Sequence, residues 1–194
     1  MDAPFYAEFS TRSNFSFLEG ASHPEELAVT AMRLGHGALG LADRNTVAGV
    51  VRAHMAAKEA KLAYHPGTRL VFSDGTPDVL AYPRDRAAWG RLCRLLTTGN
   101  LRGEKGAADL RLGDLLEWGE GLNLAVMTGT GAALEEGSIV RLEPVQALRA
   151  AFGKSVRLAA VPGFSVSDRH WLEMAAADAR ACGVSLMAVN DVTC

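Results

Sequence analysis

Short apolar runs alternate with amphipathic stretches along most of the chain. Residues 8–12 read as extended. Residues 24–34 have helical periodicity, with Ser22 or His23 near the cap and Pro24, Glu25 and Glu26 in the first turn. A short apolar strand is expected over 38–42 and a helix over 47–62. Strands over 70–72 and 79–82 flank the turn Asp74-Gly75-Thr76-Pro77. Helices follow over 87–96 and 112–118, then a buried strand over 122–127. The pattern closes with a helix over 144–152, a strand over 156–161, a helix over 168–182 and a strand over 185–189.

This makes six or seven strand–helix units running in one direction. Such alternation predicts parallel strands covered by helices, either an open sheet or a closed barrel. A regular eight-fold barrel needs about 250 residues, more than the 194 present. A smaller irregular barrel or an open sheet remains, and in both the chemistry sits in the loops after the strand C-termini.

Composition narrows the class. A chain of 194 residues with 48% apolar content fits one domain with a real core. No apolar run approaches the roughly 18 residues of a membrane span, and the N-terminus lacks the pattern of a signal peptide, so a soluble, cytoplasmic protein with no membrane partner is expected. Cys93, Cys182 and Cys194 are widely spaced and give no disulfide framework or paired-cysteine metal knuckle. Twenty basic residues against 22 acidic ones argue against a free-standing nucleic-acid binder. Sixteen of the 20 cations are arginine, which favours fixed, bidentate pairing.

The loops after the strands collect a short list of polar residues. Ser10, Thr11, Arg12, Ser13, Asn14 and Glu19 follow the first strand; Asp43, Arg44 and Asn45 follow the second. Arg69 lies near the third, and Asn190, Asp191 and Thr193 follow the last. One mouth would then gather Arg12, Arg44 and Arg69 with Glu19, Asp43 and Asp191.

Several stretches carry a family resemblance: Ser13-Asn14-Phe15-Ser16-Phe17-Leu18-Glu19-Gly20-Ala21, Ala42-Asp43-Arg44-Asn45, and Ala48-Gly49-Val50-Val51-Arg52. Ser22-His23-Pro24-Glu25-Glu26-Leu27, Gly67-Thr68-Arg69-Leu70-Val71-Phe72, Leu95-Leu96-Thr97-Thr98-Gly99-Asn100 and Val189-Asn190-Asp191-Val192 extend it over nearly the whole chain. Together they resemble the N-terminal PHP (polymerase and histidinol phosphatase) domain of bacterial error-prone DNA polymerases related to the polymerase III alpha subunit. The resemblance implies a distorted seven-stranded β/α barrel, with residues 1–194 a single domain at the N-terminus of a longer polymerase chain.

Active members of that family are expected to hold up to three metal ions in a cage of histidines and carboxylates. Carried over by position, the opening His-x-His pair falls on Ser10 and Arg12, and the Asp-His pair on Asp43 and Arg44. The glutamate after the third strand falls on Arg69, and the closing Asp-x-His on Asp191 and Thr193. Glu19 and Asp191 still match ligand positions. Arginine cannot serve as a ligand, and zinc-like metals want nitrogen or sulfur donors. The expectation is a degenerate site with no catalytic residue and no cofactor, in which Arg12, Arg44 and Arg69 replace the metal charge and pair with Glu19, Asp43 and Asp191.

The remaining candidates are weaker. The five histidines show no ligand spacing and read as surface or capping groups. Gly129-Thr130-Gly131 lacks the third glycine of a phosphate-cradling turn, with Leu134 in its place, and reads as a plain loop. Arg84, Arg86, Arg91 and Arg94, with Arg102 and Lys105 beyond, form the densest basic segment. A solvated helix face is one reading of it; contact with primer or template phosphates is the other. No Asp-x-Asp pair for two polymerase metals is present, so polymerisation by this stretch alone is not expected. The resemblance implies a scaffold for the polymerase core of a damage-tolerant, translesion enzyme, with a translesion-polymerase-like partner protein. A metal-dependent phosphoesterase or 3′–5′ exonuclease is the alternative from another class. An independent phosphate binder using the arginines is a third.

Overall fold

The computed structural model describes residues 6–104, 106–129, 138–161 and 168–191. In chain order the elements are β1 (Ala7–Thr11), α1 (Pro24–Arg33), β2 (Ala38–Leu41), α2 (Val50–Glu59), β3 (Ala63–Pro66) and β4 (Thr68–Leu70). They continue with β5 (Val79–Pro83), α3 (Arg86–Arg102), α4 (Leu112–Trp118), β6 (Leu122–Met127), α5 (Leu142–Phe152), β7 (Val156–Ala160), α6 (Asp168–Ala181) and β8 (Ser185–Ala188). The chain divides into two compact units, Met1–Arg69 with Asn190–Cys194, and Leu70–Val189.

In the first unit β1, β2 and β3 form a parallel sheet in that order. β1 and β2 pair Glu8 with Leu39 and then Thr11 with Leu41, so one extra residue is accommodated in β1 between those pairs. The in–out alternation of β1 breaks at that bulge: Ser10, Thr11 and Arg12 are all buried. A bulge re-aims side chains at a strand end, and here it turns three consecutive polar residues inward. α1 starts at Pro24, and the preceding His23 N–H donates to Glu26 Oε2 at 2.7 Å, which satisfies one orphan donor of the first turn. Leu27, Ala28 and Ala31 of α1 pack with Leu39 and Leu41 of β2, Ala53 and Ala57 of α2, and Leu62. Small residues on the facing sides of both helices let them sit close over the sheet.

In the second unit β6, β7 and β8 run parallel, with Leu124 opposite Val156 and Leu158 opposite Leu186. β5 is antiparallel to β6, pairing Val79 with Val126 and Pro83 with Leu122. This corrects the expectation of one direction throughout. Two helices, α3 and α4, connect β5 to β6; a second helical pass reverses the chain once more than a single crossover does. Leu92, Leu95, Leu115, Leu122, Leu124, Leu148 and Leu158 are buried in this unit.

The α/β class stands. The eight described strands fall into ladders of three and five, which do not close into one sheet. The expected third strand at 70–72 starts two residues earlier as β4, and β3 was not anticipated. β3 is an edge strand ending on Pro66 with alternate residues exposed, so it lacks the apolar run that marks a buried strand.

Candidate functional site

The strand C-termini of the first unit bring five of the anticipated charged residues together. Arg12 leaves β1 with its side chain 9% exposed and donates from Nη1 to Glu19 Oε2 at 2.9 Å and from Nη2 to Asp191 Oδ1 at 3.1 Å. Arg44 Nη1 meets the other Glu19 oxygen at 2.6 Å, and Arg69 Nη1 meets Asp191 Oδ1 at 2.8 Å. The side chains therefore form a chain Arg69–Asp191–Arg12–Glu19–Arg44. Its two ends are joined through the backbone, because Arg44 and Arg69 form a parallel β-bridge in which Asn45 N–H donates to Arg69 O at 2.9 Å and Arg69 N–H to Asp43 O at 3.0 Å. Three guanidinium groups and two carboxylates make this closed circuit.

Glu19 owes its position to a tight loop. Ser16 N–H donates to Ser13 O at 2.9 Å, and the N–H groups of Glu19 and Gly20 both donate to Ser16 O. A Cβ on Gly20 would lie 2.3 Å from Ser13 O, so only glycine fits there. Burial alone would push the Glu19 carboxyl up, but the hydrogen bonds and charges of Arg44 and Arg12 outweigh it and hold the group below its ordinary range.

Asp43 departs from the expected pairing. Its carboxylate is fully buried and takes no arginine: Oδ1 accepts from Ser13 N–H and Ser16 Oγ, each at 2.7 Å, and Oδ2 accepts from Ser13 Oγ at 2.8 Å. Asp43 and Arg44 hold two parts of the same loop: the Asp43 carboxylate is taken up at Ser13 and Ser16, while Arg44 meets Glu19 with its guanidinium and Ser16 Oγ with its backbone N–H. Asp43 is thus the clasp of the Glu19 loop.

Sequence reasoning missed Glu8. This buried carboxylate accepts Ser10 N–H at 2.7 Å and Ser10 Oγ at 2.6 Å on Oε1, and Tyr6 Oη at 2.5 Å and Asn190 N–H at 3.2 Å on Oε2. Ser10 Oγ in turn accepts Asp191 N–H at 2.7 Å. Burial, with the Glu8 hydrogen bond and charge, pushes the Tyr6 hydroxyl up from its ordinary value. Glu8 and Ser10 therefore set the backbone that carries Asp191. The available signal is the two-residue spacing of Glu8 and Ser10, which puts two polar residues on one face of the strand.

The donor set does not fit a metal cluster. Both Glu19 oxygens are held by arginines, both Asp43 oxygens by hydroxyl or amide donors, and Asp191 Oδ1 by two arginines. A divalent cation would also meet three guanidinium charges. Among the described residues no group of three or more His, Cys, Asp or Glu side chains is arranged to hold a metal. Histidines His36, His54 and His65 instead contact the rings of Tyr6, Tyr64 and Phe9. Thr193, Lys105, Thr130, Gly131 and Leu134 lie outside the described residues.

The basic segment of the second unit is largely engaged within the fold. Arg84 Nε donates to Gly121 O at 3.2 Å and Arg91 Nε to Glu120 O at 2.6 Å. Arg94 lies 5.8 Å from the centroid of the Trp118 ring, and Arg102 grips both Asp114 oxygens at 2.7 Å. Arg86 stands exposed at the start of α3.

Comparison with known proteins places this geometry in a family. The PHP domain model matches residues 8–137. An error-prone DNA polymerase of Mesorhizobium japonicum is 56% identical over 189 residues, and error-prone DNA polymerase 1 of Rhizobium meliloti is 50% identical over 186. Each alignment covers 96% of this chain but only 16% of the relative's length. Among solved structures, a candidate metal-dependent phosphoesterase from Bifidobacterium adolescentis superposes with a TM-score of 0.69 at 16% identity, covering 97% of this chain and 88% of that one. An amidohydrolase from Chromobacterium violaceum, solved with sulfate and no metal, gives a TM-score of 0.61 at 16% identity, with 97% and 87% covered. No helix of the described residues is long and apolar enough to cross a membrane. A family model matching well over half the chain, over a fold shared with these structures, makes this chain a member of the PHP domain family.

Proposed function

We propose that this PHP domain is the N-terminal module of an error-prone DNA polymerase and acts as a scaffold for the polymerase core rather than as a hydrolase. The observation that carries the reading is the arginine circuit. Ser10, Arg12, Arg44, Arg69 and Thr193 stand where the family resemblance expects ligands, and Glu19, Asp43 and Asp191 are the acidic remnants. Fixed guanidinium charge takes over the electrostatic work of metal ions, holding the strand ends together without an open coordination position. Residues 1–194 would work as one module, with the family's distorted barrel as its expected form in the assembled enzyme. The enzyme would act in the cytoplasm on damaged template DNA, with a translesion-polymerase-like partner. Arg86 and its neighbours on α3 are the candidate DNA contact.

A second reading rests on the phosphoesterase neighbour: a metal-dependent phosphoesterase or 3′–5′ exonuclease using Glu19, Asp43 and Asp191. One experiment separates the two. In the full-length parent chain, primer extension is expected, and digestion of single-stranded DNA with added manganese is not. Manganese-dependent digestion that disappears in Glu19→Gln would overturn the scaffold reading.

A further inference from the structure

The loop that carries Glu19 inward carries its two preceding residues outward. Phe17 is 84% exposed and Leu18 is 91% exposed, the most exposed large apolar side chains among the described residues. Isolated exposed apolar residues are ordinary, but these two are adjacent and the loop is built to present them. Leu18 sits at φ +64°, a left-handed conformation that favours glycine and that an aliphatic residue seldom adopts. Conformational strain of this kind persists only where the surroundings enforce it.

The enforcement is visible on every side of the pair. Asn14 N–H donates to Ser22 O at 2.9 Å and closes the base of the loop. The Asp43 carboxylate ties down Ser13 and Ser16, and Gly20 packs directly on Ser13 O. Glu19 is anchored on Arg12 and Arg44 immediately after Leu18. The backbone on both sides of Phe17 and Leu18 is thus held in place, by Ser13 and Ser16 before them and by Glu19 and Gly20 after them. A rigid loop bearing a large aromatic and an aliphatic side chain has the character of a binding anchor, since little conformational entropy remains to be lost on docking.

We infer that Phe17 and Leu18 form an apolar anchor that docks into a hydrophobic pocket of the polymerase core of the same chain. This rests on the scaffold reading above and gives it a surface. The occupant follows from chain length: relatives align over nearly all of this chain, yet the aligned part is only 16–17% of their own length, leaving most of each polymerase available to cover the loop. The half-exposed Arg44, 51% accessible and paired through Nη1 to Glu19, borders the anchor and suits an acidic rim around that pocket.

The test uses the full-length parent polymerase. With the photo-crosslinker p-benzoylphenylalanine at position 17, irradiation is expected to give an intrachain cross-link to a peptide beyond residue 194. In a separate chain, Phe17→Ser with Leu18→Gly should speed proteolytic release of the N-terminal module about tenfold. A cross-link only to a second copy, only to primer–template DNA, or to nothing, overturns the anchor, as does an unchanged release rate. Primer extension by the same preparation addresses the underlying reading separately. Intrachain cross-linking without extension keeps the docking surface and sinks the polymerase assignment; extension without cross-linking does the reverse.

Discussion

Arg12 and Asp191 are 179 residues apart in sequence, and the Arg12 guanidinium donates to the Asp191 carboxylate at 3.1 Å. That contact ties the end of the first strand to the chain that follows the last one. Arg12 also holds Glu19, so one poorly exposed guanidinium satisfies two carboxylates from different segments. Removing it leaves both anions short of a partner in a poorly solvated place.

Arg12→Ala is accordingly expected to cost about 3–5 kcal/mol in urea unfolding. Arg44→Ala should cost no more than about 1 kcal/mol, because Arg44 is half exposed and contributes a solvent-screened pair. Neutralising the group together, as Arg12→Met with Glu19→Gln and Asp191→Asn, should recover much of the Arg12→Ala loss. Equal costs for Arg12→Ala and Arg44→Ala would contradict this account of the circuit.

Glu19 sets an acid limb of stability. Its folded carboxyl titrates below the usual value of 4.5, as the arginine hydrogen bonds outweigh the opposing effect of burial. A depressed folded pKa gives stability that is complete above the unfolded value and is lost as pH falls through the folded one. Glu19→Gln should therefore be less stable at neutral pH and show a shallower decline below about pH 4.5 than the parent chain. Denaturation midpoints measured from pH 7 down to pH 3 read this directly, and parallel curves for the two proteins would refute it.

The basic segment of α3 separates into two kinds of arginine. Arg91 braces the turn before β6 through Glu120 O, so Arg91→Glu should lower stability by about 1–2 kcal/mol. Arg86→Glu should leave stability within about 0.5 kcal/mol. If α3 meets phosphates, Arg86→Glu should also reduce the salt dependence of DNA binding by about one unit of slope. An unchanged slope in the full-length chain would remove α3 from the DNA-contact reading.

The sequence made parts of this arrangement legible and hid others for physical reasons. β1, α1 and β2 follow from periodicity and capping residues, and the five members of the circuit follow from reading the loop after each strand. The expected pairing of Asp43 with arginine fails because its carboxylate is taken by Ser13 and Ser16, contacts that exist only once the Ser13–Gly20 loop is closed. Glu8 escaped because an acidic residue in a short strand reads as exposed, and its burial depends on Tyr6 and on Asn190, 182 residues away. β3 escaped because an edge strand ending in proline carries little apolar signal. The antiparallel β5–β6 pair depends on how two successive helices pack, which no local pattern encodes.

The central claim is that guanidinium charge has replaced metal ions at the strand ends of this domain. Elemental analysis of the purified chain, after exposure to zinc, manganese and iron and removal of free ions, tests it most directly. The account predicts only traces, far below one ion per chain, and a melting temperature that a chelator leaves unchanged. One or more metal ions bound per chain, with a melt that falls when they are stripped, would contradict it.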